Sequence, residues 1–255
     1  MKTTTTAESS SASAPASAPA PASVSGPAPG PASAPAPASV SGPAPGPAPG
    51  PASVPGHAPA PAAAADVPVR VAVLVGSNRH GRFGPVVAEW LLGRVRERDD
   101  LVPDVVDVAE IPLPTTLSPS PAATAALAEV TPKLAAADAF VVLTPEYNHS
   151  FPAGLKNLID WHYAEWRAKP VALVSYGGIS GGLRAVEHLR QVFAELHAVT
   201  VRDTVSFHGA SAAFDEGGRP HDPAGPSAAA KVMLDQLVWW AQALREAKRA
   251  RPYGG

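Results

Sequence analysis

The stretch LVGSNRHGRFG, Leu74–Gly84, gathers the donors that an anion needs. Ser77 offers a hydroxyl, and Arg79 and Arg82 offer planar guanidiniums that grip a phosphate through paired hydrogen bonds. Gly84-Pro85 opens a helix, where unsatisfied N–H groups and the helix dipole favour negative charge. A terminal phosphomonoester, which carries close to two charges, suits such a loop. Gly76 and Gly81 have the spacing of a Walker A loop, but Arg82-Phe83 stands where Lys-Ser/Thr belongs, so no hydroxyl is placed for magnesium. No G-x-G-x-x-G follows the strand either. Both features argue against a nucleoside triphosphatase and against a dinucleotide-type Rossmann half.

Two further loops have unusual composition. TPEYNHSFP, Thr144–Pro152, carries a proline near each end. Its Tyr147 either presents a ring or backbone to a flat ligand or caps the core. YGGISGG, Tyr176–Gly182, has four glycines, which let the backbone come close to a ligand and present bare N–H groups. Gly178–Gly182 also reads G-x-S-x-G, the nucleophile-elbow pattern, and Ser180 with Asp203 or Asp215 and then His221 gives the chain order of a serine hydrolase. Against this, the preceding strand ends at Ser175 or Tyr176, whereas an elbow turns at the strand end. Capping the following helix is the simpler role for Ser180. His208 and His221 share a polar loop with Asp215 and Asp222, but their spacing matches no standard metal site. They read as solvated side chains, and no metal is assigned.

These loops need a scaffold, and the apolar runs supply one. Val69–Val75, Val102–Val108, Ala139–Leu143, Pro170–Ser175 and Val199–Ser206 predict strands, the first nearly unbroken by polar residues, as in a parallel sheet buried on both faces. Helices are expected after Gly84, with Val87, Leu91 and Val95 as the apolar stripe beside Trp90; over Ala122–Ala137, with Pro132 as a break or restart; after Pro152; over Leu183–His197; and at the C-terminus, where Leu234, Leu237, Val238, Ala241 and Leu244 share a face. Ile111–Pro121 and Phe207–Gly225 are expected to be loops. Five strand–helix units predict an α/β doubly wound parallel sheet of order 2-1-3-4-5. In such sheets ligands bind beyond the carboxyl ends of the strands, at the switch between strands 1 and 3, where the three loops meet.

Residues 1–65 differ in kind from the rest. They hold more than half of the chain's 31 prolines and only Lys2, Glu8 and His57 as ionisable side chains. The block SAPAPASVSGPAPGPA at Ser17–Ala32 recurs unchanged at Ser33–Ala48. Alanine, proline, serine and glycine bury too little apolar area to offset the entropy of ordering, so this segment is expected to be a disordered tail, with one domain over residues 66–255. The formal net charge of −2 gives no footprint for nucleic acid or an anionic membrane. With no cysteine, thiolate catalysis and disulfides are excluded. There is no apolar run of about 20 residues and no signal-like core, so the expected location is the cytoplasm, away from any membrane.

Together, GSNRHGRFG (Gly76–Gly84), PEYN (Pro145–Asn148) followed by FPAGLKNLIDW (Phe151–Trp161), and SYGGISGG (Ser175–Gly182) resemble the NADPH-dependent FMN reductase family of flavodoxin-like proteins. The resemblance spans Val69 to about Val205. It implies a flavodoxin-like fold and bound FMN. The FMN phosphate would be held by Ser77, Arg79 and the backbone and side chains of Arg82, Phe83 and Gly84. Members often carry a second serine and an asparagine where this chain has Arg82-Phe83-Gly84. The isoalloxazine ring would lie against Pro145, Glu146, Tyr147 and Asn148, with Ser175, Tyr176, Gly177 and Gly178 at the other loop and the two glycines near its pyrimidine edge. The implied reaction is a shuttle: NADPH or NADH passes hydride to the flavin N5, and a quinone, free flavin or similar flat acceptor then takes its place and two electrons. The cofactor carries that chemistry, so no catalytic acid or base is assigned. A flavodoxin-like electron carrier or redox sensor is the non-enzymatic alternative, and the near-neutral domain counts mildly against a carrier. The resemblance also implies a homodimer or homotetramer, with Trp161, Trp166 and the helix after Pro152 as candidates for the interface; plain core packing is the alternative for them. The repeat tail has no counterpart in the family. A chain lacking residues 1–65 is therefore expected to keep its flavin content and turnover, measured by absorbance and NADPH oxidation; lost flavin would give the tail a role in binding.

Overall fold

The structure, a computed structural model, describes residues 67–254; the expectations for the repeat tail lie outside the described residues. Strand and helix alternate: β1 (Val69–Val75), α1 (Gly84–Arg96), β2 (Leu101–Asp107), α2 (Pro121–Ala136), β3 (Ala139–Pro145), α3 (Ala153–Asp160), β4 (Pro170–Gly177), α4 (Leu183–Glu195), β5 (Val199–His208), α5 (Ala210–Ala213) and α6 (Ala224–Ala250). The strands form one parallel sheet in the order β2-β1-β3-β4-β5. This is the doubly wound, flavodoxin-like arrangement expected from the sequence.

The period-2 alternation of a strand divides its side chains between two cores. Val69, Val71, Val73 and Val75 of β1 pack under α1 and α6, whereas Ala72 and Leu74 face α2, α3 and α4. Helices on both faces explain why the strands read as continuous apolar runs. In α1, Val87, Leu91 and Val95 are fully buried, and Trp90 packs edge-on against Phe207.

Three local expectations are corrected. Helix α2 runs without a break through Pro132. The N–H that proline lacks would have met the carbonyl of Ala128, and both residues are exposed, so water can satisfy that carbonyl. The segment Phe207–Gly225 is not a plain polar loop: it contains α5 and an antiparallel bridge between Phe214 and Pro220, and Phe207 and Phe214 are buried. Trp166 is fully buried, packed edge-on or tilted between Phe140 and Phe193, and belongs to the core rather than to a surface.

Lys169 sits below the sheet, only 8% exposed. Its ammonium donates to the carbonyls of Leu134 (2.9 Å) and Ala135 (3.0 Å), capping the C-terminus of α2, where a cation also meets the negative end of the dipole. Burial, reinforced by the nearby Lys248 charge, pulls its pKa down to about 8. The unfolded chain then binds more protons than the folded one between about pH 8 and 10.5, so stability rises with pH across that window. Moving from pH 8 to 10 is expected to add about 2 kcal/mol relative to Lys169→Met, compared by urea unfolding. Parallel pH profiles for the two proteins would refute it.

Candidate functional site

The β1–α1, β3–α3 and β4–α4 junctions meet at the carboxyl ends of β1, β3 and β4, where the strand order reverses. Ser77 and Tyr147 join the first two. The Ser77 hydroxyl, fully buried, lies 2.7 Å from the Tyr147 hydroxyl, and the Arg79 guanidinium stacks 5.5 Å from the centre of the Tyr147 ring. Among the described residues Arg79 pairs with no carboxylate. Among the described residues no side chain caps α1, so its first-turn N–H groups have no side-chain acceptor there.

Arg82 takes a different direction. Its guanidinium is gripped by both carboxylate oxygens of Asp107, at the end of β2, and donates 2.6 Å to the Ser77 carbonyl. Both side chains are mostly buried, 16% and 13% exposed. Donating to the Asp107 carboxylate raises the Arg82 pKa above its ordinary value. The side chain expected to grip the anion thus braces the loop from below. Phe83 likewise turns inward, its ring packing against Phe214 and Tyr176. Gly84 is required sterically: a Cβ there would lie 2.9 Å from the Tyr176 hydroxyl. That hydroxyl is buried with no hydrogen-bond partner among the described residues, and burial pushes its pKa up.

The β3–α3 loop is a tight turn. Tyr147 and Ser150 exchange backbone hydrogen bonds of 2.8 and 3.1 Å across Asn148 and His149, which adopt φ of 50° and 70°. Asparagine tolerates that region, and such strained backbone clusters at functional sites. Pro145 is the last residue of β3, paired with Tyr176 of β4. Glu146 ties this loop to the next: its carboxylate accepts from the Ser180 hydroxyl (2.6 Å), the Arg184 N–H (3.2 Å) and the Arg184 guanidinium (2.7 Å). Burial by itself would raise the Glu146 pKa, but these three donors outweigh it and hold the carboxyl below its usual value.

The same contacts remove the base that a hydrolase needs. Ser180 donates to a carboxylate kept ionised, and no histidine hydrogen-bonds it among the described residues; the His208 ring meets the Ile179 carbonyl instead. Ser180 also lies beyond the end of β4 at Gly177. The Ser175 hydroxyl is spent within the loop, donating 2.8 Å to the Gly181 carbonyl. Gly177 packs against the backbone of Gly182, whereas Gly178 faces open space.

Sequence reasoning missed the β2–α2 segment. Val108, Ile111 and Leu113 line a cavity of about 450 Å³ with Asn78, Arg79 and Tyr147, floored by the start of α3. It missed Asp107 as well. The one available signal was an acidic residue closing an apolar strand beside the switch point.

The NADPH-dependent FMN reductase profile matches residues 69–212. The chain is 35% identical over 122 residues to an NAD(P)H-dependent FMN reductase of Schizosaccharomyces pombe, covering 44% of this chain and 60% of that protein. It is 37% identical over 142 residues to a quinone reductase of Escherichia coli, covering 52% and 73%. A probable NADPH:quinone oxidoreductase of Oryza sativa is 37% identical over 149 residues, covering 54% and 74%. Among solved structures, the flavoenzyme NAD(P)H:(acceptor) oxidoreductase of Paracoccus denitrificans shares the fold with a TM-score of 0.54, at 23% identity over 69% of this chain and 98% of that one. Among the described residues no helix is long and apolar enough to cross a membrane. With the profile covering more than half of the chain, and the three loops it spans converging on one sheet edge, this protein belongs to the NADPH-dependent FMN reductase family of oxidoreductases, whose cofactor is FMN and whose hydride donor is NAD(P)H.

Proposed function

We propose that the three loops bind one FMN and that the protein reduces a quinone, free flavin or similar flat acceptor with NAD(P)H. The observation that carries this reading is the donor set at the β1–α1 junction: among the described residues, a helix N-terminus that no side chain caps and an exposed Arg79 that pairs with no carboxylate, beside the turn at Gly84. That set fits a phosphate. Arg79 and the backbone of residues 82–84 would hold it, with Ser77 and Tyr147 behind. Asn148 at its strained turn, and Gly178 in open space, leave room for the edge of a flat ring beside Pro145, Glu146, Tyr147, Tyr176 and Gly177.

Bound FMN supplies a two-electron relay between donor and acceptor. In sum, NAD(P)H, a proton and a quinone give NAD(P)+ and a hydroquinone. The protein's part is to position and to exclude water. Arg79 lies over Tyr147 and shields one side of the loop. Glu146 stays ionised, so it sets loop geometry rather than moving a proton. Of the hydroquinone's two hydrogens, one corresponds to the donor's hydride, which brings both electrons, and the other to a proton from solvent. The family resemblance further supports a homodimer or homotetramer, to which Ile179, 97% exposed beside Gly178, would contribute apolar surface. Light scattering on the full chain tests this, with a monomer as the contrary result.

The experiment for the function is the visible spectrum of the purified protein, then anaerobic NADPH. A flavin band that bleaches supports the reading. No flavin band after incubation with FMN would overturn it.

A further inference from the structure

The motif LKNLIDW, Leu155–Trp161, has a role that flavin binding does not explain. The segment from Val108 to Ser120 contains no helix or strand; its backbone is tied at its start by Val108 N–H to the Val75 carbonyl and Glu110 N–H to the Asp107 carbonyl, and further on only by the local bonds Leu113 N–H to Ile111 and Ser118 N–H to Thr116 among the described residues. Two side chains of the motif grip consecutive carbonyls of it. Asn157 Nδ2 donates to the Leu113 carbonyl at 3.0 Å, and Trp161 Nε1 donates to the Pro114 carbonyl at 2.8 Å. Asn157 and Trp161 stand four residues apart, one on α3 and one at its C-terminus, so they project from the same face. The gripped segment sets Ile111 and Leu113 in the wall of a cavity of about 450 Å³ that Tyr147, Arg79 and Asn157 itself also line. That size lies within the roughly 300–1,000 Å³ of small-molecule sites, and its walls have their composition, mostly apolar with a few polar groups.

We propose that Asn157 and Trp161 are positioning residues for acceptor choice, holding the β2–α2 segment as the wall against which a flat two-ring quinone packs. This rests on the flavin-reductase reading above. A single net hydrogen bond to a segment outside the helices and strands is worth a several-fold change in affinity, so each loss is expected to register on the acceptor that needs the wall and not on one too small to reach it.

The test uses the full-length, FMN-loaded protein, with menadione as the two-ring probe and 1,4-benzoquinone as the small one. Trp161→Phe and Asn157→Leu remove the donors while keeping bulk. Each is expected to raise KM for menadione about fivefold, and the pair more than tenfold. KM for benzoquinone and for NADPH, kcat, and the FMN dissociation constant from fluorescence quenching are expected to stay within about twofold. Leu113→Phe narrows the wall without touching either hydrogen bond, and it is expected to raise menadione KM alone. It keeps the question open to refutation if the double variant fails to fold. Unchanged menadione KM in the folded variants overturns the proposal. So does a parallel rise for both quinones, or a shift in FMN affinity, which would give the cavity to the flavin. If the wild-type protein takes up no FMN, the flavin reading falls first and the proposal with it.

Discussion

Arg82→Met is expected to raise the FMN dissociation constant about a hundredfold, read by flavin fluorescence quenching. Two effects act in one direction. Arg82 braces the β1–α1 loop by donating to the Ser77 carbonyl, and without it the loop loses its fixed geometry. Asp107, 13% exposed, would also be left as an uncompensated carboxylate close to an incoming dianion. Leaving one partner of a buried pair unpaired costs folding stability in both states; the loss in affinity comes from the phosphate meeting an unbraced loop beside an unpaired carboxylate, and the hundredfold corresponds to about 2.7 kcal/mol. Adding Asp107→Asn to Arg82→Met should recover the electrostatic part and leave the positional part. The double variant is therefore expected to bind FMN about tenfold more tightly than Arg82→Met alone, a coupling a cycle measures directly. Equal affinities for the wild type and Arg82→Met would show that the pair has no bearing on the phosphate loop.

Gly182→Ala and Gly178→Ala should separate stability from flavin contact. Gly182 adopts φ of +89°, and a Cβ there would lie 2.7 Å from the Ser175 Cβ and 3.0 Å from the Tyr176 backbone nitrogen. Left-handed backbone and overpacking each cost of the order of 1–3 kcal/mol, so roughly 3 kcal/mol is expected together, a fall in Tm of about 6–12 °C for a domain of this size. At Gly178 an added Cβ meets nothing within 4 Å. Gly178→Ala should leave Tm within about 1 °C and weaken FMN binding about tenfold, because the methyl would project where the ring edge approaches. If FMN affinity is untouched at Gly178, the backbone there does not face the flavin. If Gly182→Ala melts like the wild type, the loop relaxes more freely than its packing implies.

The strands, their order and the placing of three loops at one sheet edge were legible along the chain. β-branched runs buried on both faces have little choice but a parallel sheet, and strand–helix alternation with right-handed crossovers leaves few orders open.

What each polar side chain does was not legible, because its partner sits elsewhere in the sequence. Arg82 reads as an anion ligand until Asp107, 25 residues on, is folded against it. Ser180 reads as a nucleophile until Glu146, 34 residues away, accepts its hydrogen bond and fixes it as a tether. Trp166 reads as an interface residue until Phe140 and Phe193 close around it. Periodicity records which face of an element is buried, so the sequence by itself determined the scaffold. Hydrogen bonds and ion pairs depend on separations of a few ångströms between distant segments, so only the tertiary structure decided which donors brace the loops and which remain for a ligand.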